Sequence, residues 1–175
     1  MNEILELNLR ELSLASVAPM LTMTAFGLFT LIAGVIKKDL SRGFYTIFCI
    51  IAILLNAGLV LDFHGLSESF FNMLLVDGVS LLAMTIILLA SALFIPLALG
   101  AKEYFEYKIH EYYALFLFMI AGFEFMVSSN NLIVIFIGLE TSSLALYTLI
   151  ALHNKPKSVE AALKYFTMGC VSAGF

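Results

Sequence analysis

Tryptophan is absent, cysteine occurs twice and proline three times, and charge is scarce throughout the 175 residues. A soluble domain usually carries about 25% charged residues; this sequence carries 13%, against 62% hydrophobic. With sixteen Phe and seven Tyr, its apolar surface exceeds what one compact soluble core hides. A bilayer removes that difficulty, because the solvent around the bundle is itself apolar. A soluble enzyme is thereby excluded. The net charge of −4 is small and scattered, which excludes nucleic acid as a partner. Cys49 and Cys170 stand far apart in apolar runs without Cys-x-x-Cys spacing, so neither a metal nor a disulfide is indicated.

Other signals are missing too. The first thirteen residues set Glu3, Glu6 and Glu11 against one base, Arg10. A secretory signal opens with bases and ends at small residues, so this tail is expected to stay in the mature protein. No nucleophile elbow, phosphate loop, zinc pattern or dinucleotide fingerprint occurs. His64, His110 and His153 fall in connections and are not spaced as a metal site. No cofactor is expected in this chain.

What is present is a series of apolar runs. A helix needs roughly 20 apolar residues to cross the hydrocarbon. Candidate spans cover residues 14–36, 43–61, 78–100, 112–127, 132–152 and 159–175. The expected fold is all-α, a polytopic transmembrane bundle of about six spans behind the tail 1–13. Pro19 sits near the start of the first span, where a missing amide costs least. Pro96 is expected to kink or end the third. Residues 62–77 form a polar-aromatic connection at the interface, and Ser158 with Glu160 suits the start of the sixth helix. That helix reaches Phe175 with no polar flank, so the native product is expected to continue.

Loop bases alternate. Lys37, Lys38 and Arg42 lie in the first loop, Lys102 and Lys108 in the third, Lys155 and Lys157 in the fifth. The second and fourth have none, and the tail has Arg10 alone. By the positive-inside rule, the N-terminus is expected outside and the odd loops in the cytoplasm.

An ionisable residue within a span is costly, by about 3 kcal/mol or more, and marks a functional candidate. Glu140 lies eight residues into the fifth span, roughly 12 Å deep at the helical rise, too far for a carboxylate to reach water. Ser143, Leu144 and Tyr147 share its face, with Thr141 and Ser142 adjacent. Its other reading is a neutral carboxyl that bonds between helices for packing. Lys164, roughly 9 Å from the cytoplasmic side, can snorkel on its long stem or pair with Glu160 one turn earlier. Glu124, about one turn from the outer end of the fourth span, is read as an interface residue and kept as a possible third site. Asp77 is expected to cap the third helix. An acid and a base within a membrane suit proton transfer.

Two stretches go further. Met126–Tyr147 (MVSSNNLIVIFIGLETSSLALY) and Glu160–Gly169 (EAALKYFTMG) resemble the fourth-to-fifth and following helices of the antiporter-like membrane subunits of respiratory complex I. Val76–Ser80 (VDGVS) resembles the sequence ahead of that family's third helix, and the clear similarity covers roughly residues 115–174. The resemblance implies proton translocation coupled to quinone reduction, in a multi-pass subunit of the cell inner membrane beside other membrane-arm subunits. NADH and quinone would be used by the whole complex, with no redox centre in this chain. Glu140 matches the family's buried Glu, which pairs with a Lys on a later helix, and Lys164 matches the Lys before Tyr-Phe. The resemblance gives Glu124 no role. Cation/proton antiporters and membrane-bound hydrogenases share the helix pattern, and a non-transporting scaffold is a third reading.

Overall fold

A computed structural model describes residues 14–37, 40–62, 68–71, 73–100 and 109–174. Arg10, Lys38, His64, Lys102 and Lys108 lie outside them. Helices α1 (Leu14–Ile36) and α2 (Arg42–Asp62) are followed by a hairpin of β1 (Glu68–Phe70) and β2 (Leu74–Val76). Then come α3 (Gly78–Gly100), α4 (Ile109–Val127), α5 (Leu132–Ala151) and α6 (Pro156–Gly174). Helices α1 to α5 are each long and apolar enough to cross a membrane, and the protein is a multi-pass helical membrane bundle. Helix α6 carries Lys157, Glu160 and Lys164 and packs on α5.

The outward surface explains the composition. Leu82, Ile86, Leu89, Leu93 and Leu97 recur at helical spacing on α3, and Leu93 and Leu97 are each 72% exposed. In water such a stripe would drive aggregation; in lipid it is the solvated face. Hydroxyls within the spans turn back on their own helices, as membrane helices require. Thr30 Oγ1 donates to the Phe26 carbonyl (2.7 Å) and Thr85 Oγ1 to that of Leu81 (2.8 Å).

The core lies between α1, α2 and α4, around Met20, Met23, Leu117 and Ile120, all without exposure. Phe26 and Phe29 of α1 pack on Phe48 of α2 with ring centroids 4.9 and 5.0 Å apart, which seats α1 on α2. Thr46 and Tyr113 share a buried hydroxyl bond of 2.7 Å between α2 and α4. Helix α4 starts at Ile109, earlier than its apolar run, because Ile109 packs on the core and His110 lies against Gly34 of α1.

Pro96 does not end α3, which continues to Gly100. A proline this near the C-terminus removes a single ladder bond, and the terminal Ala98 carbonyl is taken by Arg42 Nη2 at 2.8 Å. Helix α6 starts at Pro156, ahead of Ser158. Proline's fixed φ and missing amide suit the first helical position, while the Lys155 amide donates to Ser158 Oγ (3.0 Å).

The connection 62–77 holds the hairpin, which periodicity did not reveal. Glu68 pairs with Val76 and Phe70 with Leu74; Phe71 turns the chain at φ 48°. The hairpin is bonded to the α4–α5 turn. The Leu75 amide donates to the Ser128 carbonyl (2.7 Å), and the Asn130 amide to that of Met73 (2.9 Å).

Asp77 then starts α3. Its Oδ1 accepts from the Ser80 amide (2.8 Å), and its own amide donates to Ser80 Oγ (2.7 Å), a reciprocal cap. The Ser80 amide above all, aided by the Ser80 hydroxyl and against partial desolvation, holds the Asp77 carboxyl below its usual range. A carboxyl depressed in the folded state stabilises above its unfolded value, and that contribution is lost as pH falls through the folded one. Protection at residues 79–81, taken relative to the intrinsic exchange rate at each pH, should therefore fall on acidification, and in Asp77→Ala it should already be low at neutral pH. Protection in the variant equal to wild type would refute the cap.

Candidate functional site

Three ionisable positions lie within or beside the bundle. Glu140 is carried by α5 between Gly138 and Ser142. Helices α4 and α5 touch backbone to backbone here: a Cβ on Gly122 would lie 2.6 Å from the Ser142 amide nitrogen and 2.8 Å from the Gly138 oxygen. Glu140 stands two residues past Gly138, about 200° round the helix, so its side chain leaves the contact on the far side. It is half-buried, and no hydrogen bond or ion pair joins it to another described residue. Two turns on along its face, Tyr147 is buried, its ring edge-on to Tyr165 (5.0 Å) and Phe166 (5.6 Å) of α6. Its hydroxyl lies against Gly169. The face that carries Glu140 is thus the one that receives α6.

Lys164 is exposed on α6 and donates to Glu160 Oε1 at 2.6 Å. The structure therefore does not join Lys164 to Glu140: the lysine is held by its own helix.

Glu124 departs from its sequence reading as an interface residue. It is fully buried, as is Asn56 of α2, and Asn56 Nδ2 donates to Glu124 Oε2 at 3.3 Å. The same nitrogen donates to the Pro19 carbonyl (2.6 Å) and to Thr22 Oγ1 (3.3 Å). Position along the helix places Glu124 one turn from the end; azimuth places it inward, between α1 and α2. Asn56 is not among the residues singled out from the sequence. The signal was the side-chain amide itself, four donor and acceptor positions on one side chain in the apolar second half of the run. Among the described residues no group of three metal-ligating side chains forms.

The chain is similar to several known proteins. Residues 129–175, which contain Glu140 and Lys164, match the family described as NADH:quinone oxidoreductase/Mrp antiporter, TM. The NADH-quinone oxidoreductase subunit N of Campylobacter concisus is 73% identical over 175 residues, all of this chain and 35% of that protein. That of Campylobacter hominis is 51% identical over 94% of the chain and 34% of its own length. That of a Sulfurovum species is 48% identical over 98% and 34%. In the solved respiratory complex I of Thermus thermophilus with bound aureothin, one chain superposes with a TM-score of 0.74 at 24% identity. The match covers 89% of this chain and 34% of that one; it shows a shared fold. The chain spans about a third of the length of the relatives it matches, and it is, from end to end, similar to subunit N of NADH-quinone oxidoreductase.

Proposed function

We propose that the chain forms part of a proton-translocating, antiporter-like subunit in the membrane arm of NADH:quinone oxidoreductase, within the cell inner membrane. The observation that carries this reading is a carboxyl within α5, Glu140, half-buried and without a partner among the described residues, in a chain similar to subunit N throughout. Glu140 acts as a switchable counter-ion. Paired with a lysine from a later helix, it stays ionised and holds that lysine protonated. When a neighbouring subunit or the quinone module separates the two, the lysine releases its proton to a water chain. Unit charges 4 Å apart interact by about 4 kcal/mol at an effective dielectric of 20, ample to govern proton occupancy. Lys164 acts as a relay or electrostatic neighbour, and the redox chemistry belongs to the other subunits.

The matched family's description also names the Mrp antiporter, so cation/proton exchange is the rival. Deleting the gene for the full-length protein discriminates. Inverted membrane vesicles should lose acidification driven by NADH oxidation through quinone. Intact NADH-driven acidification with loss of sodium-driven proton exchange would replace the proposal with the rival.

A further inference from the structure

The buried Glu124–Asn56 pair is not used by the counter-ion scheme, and its chemistry is incomplete as it stands. Glu124 Oε1 and Asn56 Oδ1 are both buried without a hydrogen-bond partner, on side chains already joined through Nδ2 and Oε2. The amide cannot be turned to relieve this, because Nδ2 must face the Pro19 carbonyl at 2.6 Å. Buried polar atoms are paired in almost every case, and a buried ionised carboxylate needs a counter-charge. Helix α1 supplies none, since residues 14–36 include no Asp, Glu, Lys, Arg or His. On α2, Asp62 lies at one end and Arg42 at the other, about 21 Å from Asn56 along the helix and bonded to Ala98. On α4, His110 and Glu111 are at the far end. On α5, Glu140 leaves the glycine contact on the side away from α4. Asp77, by the hairpin, is acidic and capped by Ser80.

We propose that Glu124 and Asn56 form a second ion-binding site, one that holds a proton on Glu124, donated toward Asn56 Oδ1. One hydrogen converts an orphan acceptor into a donor and satisfies both oxygens. A metal cation fits poorly: the Pro19 oxygen is already taken by Asn56 and by Thr22 Oγ1 at 2.7 Å, which leaves too few free oxygens for a shell. The site is separate from Glu140. Glu124 stands two residues past Gly122, so it too points away from the dry α4–α5 contact, toward α1 and α2. It lies one turn beneath the hairpin seam, where Ser128 Oγ donates to the Glu124 carbonyl at 2.8 Å. The inference stands whether or not the subunit pumps.

Infrared difference spectroscopy on the full-length subunit in its native complex tests it. Wild type minus Glu124→Gln at neutral pH should show a neutral-carboxyl C=O band worth one group per chain. Asn56→Leu, which leaves Glu124 in place, should move that band to higher frequency as its acceptor is lost. A carboxylate band in place of the neutral one overturns the proposal. So does a carboxylate band that responds to replacing sodium with choline, which would make the site a metal-cation site. An unshifted band in Asn56→Leu removes Asn56 from it. Should Glu124→Gln fail to assemble, the shift between wild type and Asn56→Leu decides.

Discussion

Glu140→Gln in the full-length subunit should leave the complex assembled and lower proton translocation per NADH oxidised about tenfold or more. The substitution keeps the shape of the side chain and its ability to hydrogen-bond between helices, while removing its charge and its titratable proton. If Glu140 serves packing alone, an amide serves as well, and pumping should be untouched. If it is a counter-ion, the interaction it supplies, about 4 kcal/mol at contact, disappears, and each tenfold in rate corresponds to 1.36 kcal/mol. Acidification of vesicles, normalised to NADH oxidation and to assembled complex, reads the difference. Unchanged acidification would end the counter-ion reading. Lys164→Met is the comparison within the same experiment. Lys164 is exposed and already paired with Glu160, and such pairs contribute about 0–1 kcal/mol, so its structural effect should be slight and its effect on pumping smaller than that of Glu140.

The second large effect is expected at the α4–α5 crossing. A Cβ on Gly138 would meet the Met126 amide nitrogen at 2.7 Å and the Gly122 oxygen at 2.8 Å. These are backbone atoms, which cannot rotate aside. Gly122→Ala or Gly138→Ala must push the two helices apart, a change that in packed cores costs about 1–3 kcal/mol and sometimes more. In a membrane, where close packing rather than water drives association, the loss is not recovered elsewhere. Both variants should lower the melting temperature of the solubilised full-length protein and its accumulation in the membrane. Gly169→Ala is the comparison, since its neighbours are the hydroxyl and ring tip of the Tyr147 side chain rather than backbone, and Tyr147→Phe, which removes the nearer of them, should restore part of what it loses. Wild-type melting for Gly138→Ala would show that the crossing tolerates separation.

How much of this was legible in the sequence differs by physical cause. The helical membrane bundle followed from apolar runs of bilayer length, because helix length is set by hydrocarbon thickness. Glu140 and Lys164 were legible as charges out of place. Which way a helix turns was not. Beyond its first turn, α4 is apolar apart from its tyrosines and Glu124, so periodicity selects no inner face, and Glu124 could be placed in depth but not in azimuth. Its partner Asn56 is 68 residues away, a distance that only packing closes. The hairpin escaped notice because its strands are three residues each, too short for an alternating pattern, and they are stabilised by a turn beyond α4. The lysine–glutamate pair on α6 was legible because it is local.

That hairpin also bears on how the chain is made. Met73 and Ser129, joined across the seam, lie 56 residues apart, with α3 and α4 synthesised between them. At roughly 5–20 residues per second, synthesis alone separates them by about 3–11 s. During that interval the Leu75 amide and the Met73 carbonyl have no protein partner at the α4–α5 turn, and hydrocarbon offers none. The hairpin must therefore wait in water on its side of the membrane while two helices are inserted behind it, and that end of the bundle closes only after α4 has crossed.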